Sequence, residues 1–290
     1  MLKKNLRRGW TTGACATAAA KAAFIGLMTG KCPDVVTIKL PNGQSPKFNI
    51  AYQNAGHQSM SAGVIKDAGD DPDVTDGLLI ITEIVKRNDQ MGINFKAGTG
   101  VGIITLPGLP LEVGEPAINP GPRKMIEDNL KELSIAKNNL DIDIIIEVPE
   151  GKEISKKTWN ERLGILNGIS ILGTTGIVIP FSCAAWIHSI HRGIDVAIKT
   201  NTTHIAACTG SVSERVAKKE YNLPPQSMID MGDFVGGMLK YLKKNTVPRV
   251  TIAGGFAKLL KLSQGELDLH SSRSQVNLEK LRSEIKKLEQ

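Results

Sequence analysis

Four carboxylates, Asp67, Asp70, Asp71 and Asp73, fall within seven residues beside Lys66, with Asp76 just beyond. Carboxylates packed this closely shift one another's pKa values, so the string reads either as a place to move a proton or as a solvated turn. The spacing rules out a helix–loop–helix calcium site. Counted from Asp71, the places that need Gly and Glu hold Asp76 and Thr82. Thr11-Thr12-Gly13 opens an Ala-rich stretch next to Arg7 and Arg8. There the free N–H groups and dipole of a helix start would hold an anion, unless Thr12 merely caps the helix. Gly173-Thr174-Thr175-Gly176 is neither GxGxxG nor a P-loop, which leaves a ligand-cradling turn and a plain turn both open.

Cations recur in separate strings. Arg123 and Lys124 follow Asn119-Pro120-Gly121-Pro122 and open an amphipathic helix, where positive charge opposes the dipole unless an anion binds or Glu127 or Asp128 pairs with it. Lys258 follows Gly254-Gly255, and Arg273 shares Leu269–Ser274 with His270. Both strings mix glycine, hydroxyls and charge after an apolar strand, a composition that suits a site. Asp230 and Asp233 end another apolar run and could hold a ribose hydroxyl, or form a turn and helix cap. His188 and His191 share a helix face but have no third ligand at a recognisable spacing, so no metal site is expected.

The elements that must carry these groups follow from periodicity. Ala14–Met28, after Thr12 and before Gly30, reads as a helix; Val35–Leu40 and Lys47–Tyr52 flank the turn Pro41-Asn42-Gly43 as strands. Gly63–Lys66, Leu78–Val85, Ile103–Leu106 and Ile142–Val148 are further strands. After that the pattern changes to alternation. Strands at Ile169–Leu172, His204–Cys208, Met228–Asp230 and Val250–Ala253 alternate with helices at Ser182–Lys199, Ser211–Tyr221 and Phe234–Lys244. The fold class expected is α/β, with an N-terminal α+β domain over residues 1–157. A Rossmann-like α/β domain over residues 158–290 follows, ending in a charged helix from Val276 to Gln290. In such a sheet Gly173–Gly176 would sit at a strand's carboxyl end.

The 290 residues carry a formal charge of +7, which favours anionic partners, but only 4% are aromatic and no base-stacking motif is present. No nucleic-acid partner is expected. No apolar run approaches the roughly 20 residues of a bilayer span. Four separated cysteines without a CxxC pair, and no leader-like start, point to a cytoplasmic chain with reduced thiols.

The strings LRRGWTTGACATAAAKAA, KDAGDDPDVT, GTGVGIITLPGL, EPAINPGPRKMI, NERLGILNGISILGTTGIVIP, GDFVGGML and KLLKLSQGELDLHSSRS, in that order, resemble the cobalt-precorrin-5B C(1)-methyltransferase family of anaerobic cobalamin biosynthesis. The resemblance implies a two-domain enzyme that moves a methyl group from S-adenosylmethionine to C1 of a polycarboxylate cobalt-corrin precursor, giving cobalt-precorrin-6A. On that reading Thr11, Thr12, Arg123, Lys124, Lys258 and Arg273 meet the substrate's carboxylates. The resemblance does not fix the donor site; the strand-end positions of Gly173, Thr174, Thr175, Gly176 and Asp230 make them the donor-binding candidates, and Asp70, Asp71 or His270 could take the proton lost from the macrocycle. Asp76 departs from the His or Asn more usual there. The residues alone also admit a nucleotide-dependent transferase, or a basic non-catalytic protein that binds RNA or a membrane surface.

Overall fold

The computed structural model describes residues 6–133 and 140–288. The chain forms two compact units, Met1–Ser182 and Cys183–Gln290. The division falls beyond the expected boundary near Lys157, because residues 165–178 pair back onto strands of the first unit.

The first unit begins with β1 (Gly9–Trp10) and α1 (Thr12–Thr29). Helix α1 is almost entirely small and apolar, and from Thr12 to Ala20 every residue is buried. A helix apolar on all sides must be enclosed. Short antiparallel β2 (Val35–Thr37) and β3 (Lys47–Asn49) are followed by β4 (Tyr52–Ala55), β5 (Ser59–Ile65), β6 (Leu79–Lys86), β7 (Ile93–Ala97) and β8 (Ile103–Ile104). Then come α2 (Pro120–Lys131) and β9 (Ile142–Glu147). One five-stranded sheet runs β4-β5-β6-β9-β7, antiparallel except for the β7–β9 pair. Helix α1 lies on β5 and β6 with α2 at its side, and Thr82 of β6 donates to the Ala16 carbonyl at 3.1 Å. The core joins α1 alanines to Ile80, Ile84, Ile144 and Ile146 of the sheet and to Met125, Ile126 and Leu130 of α2. Helix α3 (Gly151–Ser155) leads to β10 (Ile165–Leu166), which pairs with β8, and to β11 (Ile177–Val178), which pairs with β1.

Ile169–Leu172 is therefore not a strand of a parallel sheet. Ile169 and Ile171 make isolated bridges to Val101 and Ile118, both in the first unit. A four-residue apolar run cannot by itself declare which sheet it joins.

The second unit holds α4 (Cys183–Lys199), β12 (His204–Cys208), α5 (Ser211–Tyr221), β13 (Met228–Asp230), α6 (Val235–Leu242), β14 (Arg249–Ala253), α7 (Phe256–Ser263) and α8 (Leu278–Leu288). Its three strands are parallel in the order β13-β12-β14. Alternate residues of β12 serve two cores. Ile205 and Ala207 pack with Ile190, Ile194, Val235 and Met238 of α4 and α6, while Ala206 and Cys208 pack with Ala217 of α5. A parallel sheet apolar on both faces is covered on both. Among the described residues no helix is long and apolar enough to cross a membrane.

Candidate active site

Four of the strings picked out by residue type meet at one corner of the first unit. The segment Arg7–Thr12 runs through its middle. On one side Trp10 N–H donates to the Asp67 carbonyl at 2.7 Å, Asp70 N–H donates to the Arg7 carbonyl at 2.9 Å, and Arg7 N–H donates to Asp70 Oδ2 at 2.8 Å. On the other, Gly9 and Trp10 pair with Val178 and Ile177, and Thr11 N–H donates to the Gly176 carbonyl at 3.0 Å. The approach is so close that a Cβ on Gly9 would lie 2.0 Å from the Ala68 carbonyl carbon. Gly173, at φ +112°, sits where a Cβ would be 2.3 Å from Thr11 Oγ1. The start of α2 closes the group: Asn119 N–H donates to the Ile171 carbonyl at 2.9 Å, and a Cβ on Gly121 would come within 3.2 Å of Thr174 Cα.

This geometry assigns work to residues expected to bind ligand. Thr11, not Thr12, caps α1 by accepting Ala14 N–H at 3.2 Å, and Gly13 N–H donates to the Leu172 carbonyl at 2.9 Å. Thr12 Oγ1 accepts Leu172 N–H at 2.9 Å. Both threonines are buried, so the helix start is spent on the Gly173–Gly176 turn. That turn lies in the first unit and Asp230 in the second, so they do not share one parallel sheet.

The acidic string is held by cations and N–H groups. Hydrogen bonds from the Arg7 guanidinium, then from Gly69 N–H, hold the Asp67 carboxyl below the usual carboxylate range. Burial pushes Asp73 upward, but buried Lys66, 2.8 Å away, and Thr75 outweigh it and the net shift is down. Asp76 accepts Ala68 N–H at 2.7 Å. Asp71 Oδ1 accepts Phe181 N–H at 2.8 Å, and Asp70 is exposed.

Arg123 and Lys124 divide. Arg123 turns back on its own approach segment: Nε donates to the Ile118 carbonyl at 2.7 Å, and the guanidinium reaches Glu115 and the Pro116 carbonyl. Its partners are not Glu127 or Asp128. Lys124 does pair with Asp128 one turn on, at 3.1 Å, on an exposed face.

In the second unit the remaining candidates gather at the carboxyl edge of the parallel sheet. Lys258 Nζ stands 2.9 Å from Asp233 Oδ1 and donates to the Thr209 carbonyl at 3.3 Å, which ties the ends of β12, β13 and α7 together. Leu269 N–H donates to the Asp233 carbonyl, and buried Lys261 donates to the Leu269 carbonyl, both at 3.0 Å. That pins the loop in which Arg273 pairs with Asp268 and exposed His270 contacts Ser272 Oγ at 2.7 Å. Asp230 ends β13, and its carbonyl accepts the Trp186 indole N–H at 3.1 Å. Gly210 and Gly255 begin α5 and α7, and a Cβ on either would meet nothing within 4 Å. His191 stacks on Tyr241 at 3.9 Å, and His188 faces Arg192.

The family model described as CbiD matches residues 1–180, the unit that contains the corner. The chain belongs to the CbiD family. It is 57% identical over 96% of its length to a cobalt-precorrin-5B C(1)-methyltransferase of Agrobacterium fabrum, covering 73% of that protein. It is 55% identical over 99% of its length to the protein so named of Paramagnetospirillum magneticum, covering 80% of it. The crystal structure of the cobalamin biosynthesis protein cbiD from Archaeoglobus fulgidus matches with TM-score 0.50 and 30% identity, over 92% of this chain and 83% of that one.

In this CbiD-family corner three apolar residues that were not among the sequence candidates are exposed. Leu172, Ile179 and Phe181 flank the Gly173–Gly176 turn with 46%, 54% and 66% of their surface exposed. The available signal was Pro180-Phe181, an aromatic placed just after a strand in a chain poor in aromatics.

Proposed function

We propose that the chain is an S-adenosylmethionine-dependent methyltransferase that methylates C1 of cobalt-precorrin-5B, giving cobalt-precorrin-6A in cobalamin biosynthesis. The observation that carries this is the 57% identity, over 96% of the chain, to a cobalt-precorrin-5B C(1)-methyltransferase. A sulfonium donor brings an already activated methyl group, so the protein has to orient, bind and exclude water.

The second unit is a small Rossmann-like domain on this reading, and the donor binds at its carboxyl edge. The glycines support it: the backbone at Gly210 and Gly255 is open to a ligand, and Asp230 stands at the adjoining strand end. Gly173–Gly176 is the weaker donor site, because its backbone is committed to the start of α1. The corner of the first unit takes the macrocycle, with exposed Arg8 facing its carboxylates and exposed Asp70 the base.

The test is incubation with cobalt-precorrin-5B and methyl-labelled donor. One label per macrocycle, with an equal amount of S-adenosylhomocysteine, is expected. An unlabelled macrocycle overturns the proposal.

A further inference from the structure

We propose that Phe181 is a substrate-binding residue, its ring forming with Ile179 and Leu172 an apolar seat for one flat face of the macrocycle, and that Asp71 is the positioning residue that aims it. This rests on the reading that the chain binds a cobalt-corrin precursor. Phe181 combines three properties seldom found together. Its backbone is in the left-handed region at φ +56°, which is costly for a bulky aromatic. It is held there by Asp71 Oδ1, which accepts its N–H at 2.8 Å across 110 residues of chain. Yet its side chain is 66% exposed, so the strained backbone serves no core.

What flanks Phe181 in sequence and strand register fits a flat, apolar ligand with an anionic rim. Ile179, two residues earlier, is 54% exposed and Leu172 46%, and between them lies the exposed pair Thr174 and Thr175. The antiparallel register that joins Gly9 to Val178 places Arg8 next to the strand end that leads to Ile179. Arg8 is exposed and bridges Gly69 through its backbone, while its neighbour Arg7 is the one that pairs with Asp67. A tetrapyrrole has the matching design: apolar faces for aromatic and aliphatic side chains, and carboxylates at its margin for a guanidinium. Asp71 then acts through Phe181, which differs from the proton-accepting role expected of it.

The experiment titrates cobalt-precorrin-5B against full-length variants by absorbance, with S-adenosylmethionine calorimetry, turnover and thermal melting in parallel. Phe181→Gly should melt no lower than the wild type, since glycine accepts positive φ freely, and should bind the macrocycle on the order of tenfold more weakly with donor affinity unchanged. Phe181→Asn, whose side chain tolerates the same backbone, should behave alike, and Phe181→Tyr should recover binding. Asp71→Ala should weaken macrocycle binding several-fold, and Asp71→Asn, which keeps a carbonyl acceptor, should rescue it. If Phe181→Gly and Phe181→Asn both bind within twofold of the wild type, the seat is overturned. If Asp71→Ala binds the macrocycle within twofold of the wild type, the positioning role of Asp71 is overturned. A wild-type chain that neither binds nor methylates the macrocycle overturns the methyltransferase reading itself, an outcome distinct from a silent Phe181 variant.

Discussion

Among single residues, the clearest structural role belongs to Arg123. Its guanidinium, 21% exposed, ties the Glu115–Ile118 segment to the first turn of α2, so it stabilises the approach to the helix. Hydrogen bonds from a charged donor contribute about 1.5 to 3 kcal/mol, so Arg123→Ala should lower the melting temperature by several degrees. Macrocycle affinity should stay within about twofold by titration, and Lys124→Ala, which removes only an exposed pair, should cost under about 1 kcal/mol. A second residue-scale case is Lys66, 1% exposed and paired with Asp73. Removing one partner of a buried pair typically costs about 3 to 5 kcal/mol, so Asp73→Ala should be severely destabilising and Lys66→Met with Asp73→Ala less so, as urea unfolding would show. The pH dependence has a definite sign. Because the folded Asp73 carboxyl titrates below its ordinary value of 3.8, the stability it contributes is complete above that value and is lost as the pH falls through the folded one. Acid unfolding of the wild type should therefore steepen below about pH 4, and the Asp73→Ala double variant should lack that component.

At the scale of elements, glycines in turns decide which substitutions are informative. Gly176 is at φ +79° with its Cβ position 2.6 Å from Leu40, so Gly176→Val should unfold the corner before it reports on any ligand. Thr175→Val is the better probe. It is exposed, its hydroxyl meets Ile177 alone among the described residues, and unchanged macrocycle affinity by titration would place the ligand away from the turn. How far the elements could be read from sequence follows the same local logic. Helix α5 and strands β12 and β13 have the expected bounds because Gly210, Asn222 and regular apolar runs mark them. Strand β7 escaped notice: Ile93–Ala97 is only half-buried, and its partner β9 begins about 50 residues on, so no local period announces it. The second unit's carboxyl edge was legible as three loops following strands. The corner was legible only as a set of strings. Nothing local says that Thr11 meets Gly173 or that Asp71 meets Phe181, because those contacts depend on how the sheet brings distant segments together.

For the whole molecule, the net charge of +7 and the exposed Arg8 predict a salt-sensitive substrate and an insensitive donor. Raising ionic strength from about 0.05 to 0.5 M shortens the screening length roughly threefold. Macrocycle binding should weaken several-fold across that range while S-adenosylmethionine binding changes little, and Arg8→Ala should flatten the macrocycle's salt dependence; equal slopes for the two ligands would refute this assignment. The pairing of Gly9 with Val178 carries a different consequence, one for how the protein is made. Helix α1 and most of the sheet can assemble while the chain is still growing, but the corner lacks its third side until Phe181 has left the ribosome. At about 5 to 20 residues per second, the roughly 170 residues between the Arg7–Thr12 segment and Phe181 take on the order of 10 to 35 s to make, and until then that segment lacks the Ile177–Phe181 side of the corner. The corner is thus the last part of the first unit to become possible during translation.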